Sequence, residues 1–113
     1  MDERSESDEW IDELVATWTA MYKKSMTTVL VLKLIAAAGQ SSVEEIREML
    51  DSATGWSFTE RGLYRTMRRL TSLGLLSTAE IPVPRTGARR KYFELSDMGR
   101  RYLDRLELEL LDR

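Results

Sequence analysis

The chain has 113 residues, 42% of them hydrophobic, which is enough for one modest core and not for two. It contains no cysteine and no histidine, so disulfides, thiolate centres and the usual zinc ligands are excluded, and no metal or cofactor is expected. The net charge is −2, no basic and apolar leader opens the sequence, and the longest apolar run, Val29–Ala38, is interrupted by Lys33 and too short for a bilayer, so a cytoplasmic protein without membrane attachment is expected.

In chain order, residues 1–7 are polar and charged and read as a flexible acidic tail. From Asp8 onward, Trp10, Ile11, Leu14, Val15, Trp18, Met21 and Tyr22 recur at helical spacing, which predicts a helix over residues 8–26. Ile11, Leu14, Trp18 and Met21 also follow the three-four spacing of a coiled-coil seam. A second helix is predicted from about Thr27 to Ala38, apolar nearly all round and hence in the core, ending at Gly39 in a left-handed cap. Ser42 and Glu45 form a capping box that opens a third helix through about Ala53, with Val43, Ile46, Met49, Leu50 and Ala53 inward and Gly55 as its stop.

Thr59 can cap a fourth helix whose inward residues are Leu63, Met67 and Leu70, and Gly74 ends it. Leu75–Val83 reads as a strand, with Pro82 and Pro84 keeping its far end unpaired. Arg85–Ala88 forms a tip and Arg89–Leu95 returns as a second strand. Ser96 caps a last helix carrying Tyr102, Leu103, Leu106 and Leu110 as an apolar stripe. The expected class is mainly α with a small β-hairpin, a winged helix-turn-helix over residues 27–96 flanked by terminal helices at 8–26 and 97–113.

The charge is strongly polarised along this order. Between Asp2 and Glu13 stand seven acids and one base, whereas between Glu60 and Lys91 stand eight bases and two acids. A soluble surface normally mixes its signs, so the basic half points to a polyanion. On the fourth helix Arg61, Arg65, Arg68 and Ser72 are spaced four, three and four apart and share one face opposite the apolar residues. Such a helix fits the DNA major groove, where arginine can donate twice to guanine. Tyr64 is suited to a phosphate or sugar contact, and Arg69, toward the flank, to a phosphate. Arg85, Arg89, Arg90 and Lys91 on the hairpin can reach the backbone or the adjacent minor groove. A solvated basic helix and hairpin are the plainer reading of the same residues.

The stretch from Leu63-Tyr64 through Leu73-Gly74-Leu75-Leu76, followed by Arg90-Lys91-Tyr92-Phe93-Glu94-Leu95-Ser96 and Gly99, resembles the PadR family of winged-helix transcriptional regulators. The similarity covers about Leu30 to Leu103. It implies a homodimeric DNA-binding regulator, usually a repressor, that pairs through its terminal helices and is released by a small-molecule effector. The family commonly has Gly-Tyr where Ser42, Val43 and Glu44 stand here, and Gly-Thr where Arg61 and Gly62 stand, which implies a different operator.

The expected function is therefore sequence-specific binding of double-stranded DNA by a homodimer, with Thr59, Arg61, Tyr64, Arg65, Arg68, Arg69, Arg85, Arg89, Arg90 and Lys91 as candidate contacts. A winged helix used for protein contacts is the alternative. For Trp10, Trp18 and Tyr22 two readings stand: packing in a core or dimer seam, or lining a pocket for a flat aromatic effector. No general base, nucleophile or phosphate-cradling loop is recognisable, so catalysis is not expected.

Overall fold

The computed structural model describes residues 5–110, and within them the chain forms α1 (Glu6–Ala38), α2 (Val43–Thr54), α3 (Glu60–Ser72), β1 (Leu76–Pro82), β2 (Arg89–Leu95) and α4 (Asp97–Leu110). The architecture is mainly helical with one antiparallel hairpin, as the sequence predicts.

The largest departure lies at the N-terminal side, where the two helices predicted over 8–26 and from Thr27 are one helix of 33 residues. Neither proline nor glycine interrupts Glu6–Ala38. Thr27 opens no new helix because its hydroxyl donates to the Lys23 carbonyl oxygen, at 2.7 Å, inside the existing one. Ser5 caps α1, accepting from the Asp8 N–H at 3.1 Å while the Asp8 carboxylate accepts from the Ser5 N–H. Ser5–Ser7 therefore belong to the helix start and not to a tail; the remainder of that expected tail, Met1–Arg4, lies outside the described residues.

Gly39 ends α1 with φ 82° and ψ −151°, a positive-φ conformation that is not the left-handed helical one expected. The extended ψ carries the chain to Ser41, whose backbone N–H and C=O bond Phe93 of β2 at 3.0 and 2.8 Å. This bridge fastens the α1–α2 connection to the hairpin. Next to it, buried Ser42 accepts from the Glu45 N–H at 3.3 Å and donates its own N–H to the Glu45 carboxylate at 2.9 Å, the predicted capping box. Ser42→Ala is expected to lower the unfolding free energy by about 1 kcal/mol, read as a lower urea midpoint at an unchanged m-value.

The core gathers Val31, Leu32 and Ile35 of α1, Val43, Ile46 and Leu50 of α2, Leu63, Met67 and Leu70 of α3, then Leu75, Leu76, Phe93 and Leu103. Of the residues predicted inward, Met49 is half-buried and Ala53 is exposed, because it stands in the last turn of α2, past the packed part of the core. In α4 only Leu103 of the predicted stripe is buried; Leu106 is half-buried, and Tyr102 and Leu110 remain 40% and 55% exposed. The stripe is wider than the surface that one copy of the domain offers it.

α3 leaves through a Schellman arrangement. The Gly74 N–H donates to Thr71 and the Leu75 N–H to Leu70, and the two leucines are both buried. Ser96 then ties three elements together. Its hydroxyl donates to the Gly74 carbonyl at 2.6 Å and accepts from the Gly99 N–H at 2.9 Å, while its N–H donates to the Leu75 carbonyl at 3.1 Å. The hairpin pairs from Leu76↔Leu95 to Pro82↔Arg89, so the far end of β1 is paired, contrary to expectation. Val83 donates inward to Ala88 at 2.8 Å, which turns the neighbouring Pro82 nitrogen to the open outer edge, where no donor is needed.

Candidate nucleic-acid interface

α3 starts because Thr59 accepts from the Gly62 N–H at 3.0 Å. A side chain at Gly62 would bring a Cβ to 2.9 Å from the same hydroxyl oxygen, so the Thr59 side chain would have to shift to admit one. Thr59 is thus first a helix cap. Among the described residues its O–H proton donates to no protein group, which leaves it for an outside acceptor.

From this start the 13-residue α3 turns Leu63, Met67 and Leu70 into the core and leaves Arg61, Arg65, Arg68 and Ser72 exposed on the opposite face. Among the described residues no hydrogen bond or ion pair engages those three arginines. Glu60, the one acid within α3, lies instead 4.0 Å from Arg47 of α2, in a loose and solvated pair of small energetic weight. The face is cationic and open.

The hairpin docks on α3 through Tyr64. Lys91 donates to the Tyr64 hydroxyl oxygen at 3.2 Å and sits 5.7 Å from the ring centroid. The Tyr64 ring in turn meets buried Phe93 edge-on at 6.4 Å. Because the phenol oxygen accepts from Lys91, its own proton remains for a phosphate. The structure brings Tyr64, Arg89, Arg90 and Lys91 to one open concavity of about 470 Å³, which Glu44 and Glu60 also border. Arg61, Arg65 and Arg68 occupy the exposed face of the same helix, and Arg85 sits in the tip with φ 78°, an unusual conformation for a non-glycine residue.

Arg69 stands apart from this group. Its guanidinium donates to the Thr28 hydroxyl of α1 at 3.0 Å and lines an apolar groove with Leu73, Tyr102 and Leu106. Sequence reasoning missed Glu44 as a neighbour of the wing, since that placement depends on the Ser41–Phe93 bridge and no local pattern announces it. Of the three aromatic effector candidates, Trp18 and Tyr22 stack at 5.5 Å, whereas Trp10 stands two turns earlier, about 12 Å along the helix. All three are exposed, at 59%, 63% and 45% for Trp10, Trp18 and Tyr22.

Helices packed on one core, with a hairpin lying beside an exposed basic helix, define a winged helix-turn-helix protein. The model of the transcriptional regulator PadR-like family matches residues 31–105, and the chain belongs to that family. A PadR family transcriptional regulator from Eggerthella lenta superposes with a TM-score of 0.72 at 25% identity, over 89% of this chain and 86% of that one. A PadR-like transcription factor from Bacteroides fragilis gives 0.70 at 25% identity, over 82% and 87%. Bacillus subtilis PadR in complex with operator DNA shares the fold, with a TM-score of 0.62 at 22% identity over 70% of this chain and 46% of that longer one. No curated protein sequence matches. Among the described residues no helix is long and apolar enough to cross a membrane.

Proposed function

We propose that this transcriptional regulator is a homodimeric, cytoplasmic repressor that binds double-stranded operator DNA, with α3 in the major groove and the hairpin on the flanking backbone. The observation that carries this reading is the open arginine face of α3 beside a wing whose cations Arg89, Arg90 and Lys91 share one concavity with Tyr64 of the same helix. The solved complex of Bacillus subtilis PadR with operator DNA supports the same use of the fold. Arg61, Arg65 and Arg68 are assigned to base edges, and Arg85, Arg89 and Arg90 to phosphates or the minor groove. Tyr64 and Thr59 have hydroxyl protons to give to phosphate oxygens.

Dimerisation is supported by the apolar side chains that one copy leaves uncovered. Trp10, Ile11, Leu14, Val15, Trp18 and Met21 of α1 are each at least 50% exposed, as are Leu108 and Leu110 of α4. Covering such side chains gains on the order of 1 kcal/mol each, and a second copy supplies the same surface by symmetry. Two recognition helices would then meet half-sites about one helical turn apart. Effector control is assigned to the stacked Trp18 and Tyr22, whose exposed rings suit a flat ligand held between protomers.

Mobility shift with genomic fragments tests the reading; specific retardation is expected, and its absence even at low salt overturns it. Arg90→Ala is expected to weaken binding to specific and random duplexes alike and to reduce the slope of log affinity against log salt by about 1.

A further inference from the structure

Trp56 lies in neither of the two surfaces just described, yet its ring contacts lead from α1, which carries one, to Phe58, just before α3, which carries the other. It stands in the irregular segment between α2 and α3, whose backbone bonds lie at its two ends, Gly55 N–H to Asp51 and Leu63 N–H to Thr59. The Trp56 N–H donates to the Thr54 hydroxyl at 2.9 Å, and its half-buried ring reaches back to α1. There it meets the Tyr22 ring edge-on at 6.4 Å and lies under the Lys23 ammonium, 5.5 Å from the ring centroid. On its other side it meets Phe58 at 6.4 Å. Phe58 packs against the core, and the next residue, Thr59, caps α3. On α1, Tyr22 stacks with Trp18, at the C-terminal end of the exposed apolar stripe.

A continuous set of ring contacts thus runs Trp18–Tyr22–Trp56–Phe58 and ends one residue before the cap of the recognition helix. We infer that Trp56 is a positioning residue that couples the exposed stripe of α1 to the first turn of α3. Beside the Phe58 packing and the Thr59 cap, the contact with Tyr22, itself backed by Trp18, and the Lys23 cation hold Trp56 and so help to set the entry of α3. Whatever covers Trp18 and Tyr22 then acts on the same contact that sets the entry of α3, and by reciprocity whatever grips α3 acts on the stripe. The consequence for DNA recognition rests on the proposed function; the coupling itself does not.

The test uses the full chain and changes α1, not the turn. In Tyr22→Ala, amide hydrogen exchange is expected to rise about tenfold from Trp56 to Tyr64, while Arg68–Ser72 and the hairpin exchange as in the unchanged chain. Tyr22→Phe, which keeps the ring, is expected to restore slow exchange. Trp56→Leu combined with Tyr22→Ala is expected to be no worse than either alone, as two groups acting through one contact are not additive. Unchanged exchange at the start of α3 in Tyr22→Ala, or additive effects, overturns the coupling. In parallel, a duplex selected by the unchanged chain from a random pool should bind Tyr22→Ala about tenfold more weakly, with random duplex affinity unaltered. Failure to select any duplex would count against the DNA-binding reading, while the exchange data would still decide the coupling.

Discussion

Gly99→Ala is expected to destabilise the protein by about 3 kcal/mol, at the upper end of what overpacking a tight site costs. Gly99 is buried in the first turn of α4, and an added Cβ would overlap the Leu75 carbonyl oxygen and crowd a Leu95 methyl group. The Leu75 carbonyl cannot step aside cheaply, because it accepts from the Ser96 N–H at 3.1 Å. Nor can Ser96, whose hydroxyl is bonded both to Gly74 and to Gly99 itself. Alanine's better helix propensity offsets only about 1 kcal/mol of this. A thermal midpoint lowered by more than about 10 °C is the expected reading at fixed protein concentration, since the midpoint of the proposed dimer would depend on it. An unchanged midpoint would mean that α4 can lift off the hairpin without cost.

Arg65→Ala is expected to weaken specific DNA binding by 1–3 kcal/mol, about 5- to 150-fold in Kd, and to relax preference at one or two base positions. Arg65 lies on the open face of α3 with Arg61 and Arg68, exposed and without a protein partner among the described residues, so its five donors are available to a base pair. Arg65→Lys should not restore the preference, because an ammonium lacks the planar fork that engages two guanine acceptors. Competition of the selected duplex against random DNA, at several salt concentrations, measures the effect. Equal losses on both DNAs would move Arg65 from base reading to phosphate contact.

The elements that the sequence made legible are those written in local chemistry. The Ser42–Glu45 box, the Thr59 cap, the Gly55 stop and the apolar spacing of Leu63, Met67 and Leu70 each stand where the residues imply. The basic face of α3 was equally legible, since helical spacing alone puts Arg61, Arg65 and Arg68 together. What failed was a boundary. Lys23–Thr28 is polar enough to look like a connection, but a hydroxyl that bonds back into its own helix leaves the backbone nothing to gain by stopping. The partners of Arg69, Lys91 and Trp56 were illegible for a different reason, because each lies on another element and depends on how the helices dock.

The unbroken α1 has a geometric consequence for the proposed dimer. One end of this helix buries Val31, Leu32 and Ile35 in the core and the other carries Trp10 to Tyr22, with no proline or glycine between them to kink it. The rod is about 50 Å long at 1.5 Å per residue, and its two ends keep a fixed angular phase. Adding one residue near Ser25 would rotate the apolar stripe by about 100° relative to the DNA-binding head, whereas adding seven would nearly restore it. In the proposed dimer, the separation and orientation of the two half-sites would in this sense be set by a count of residues in α1.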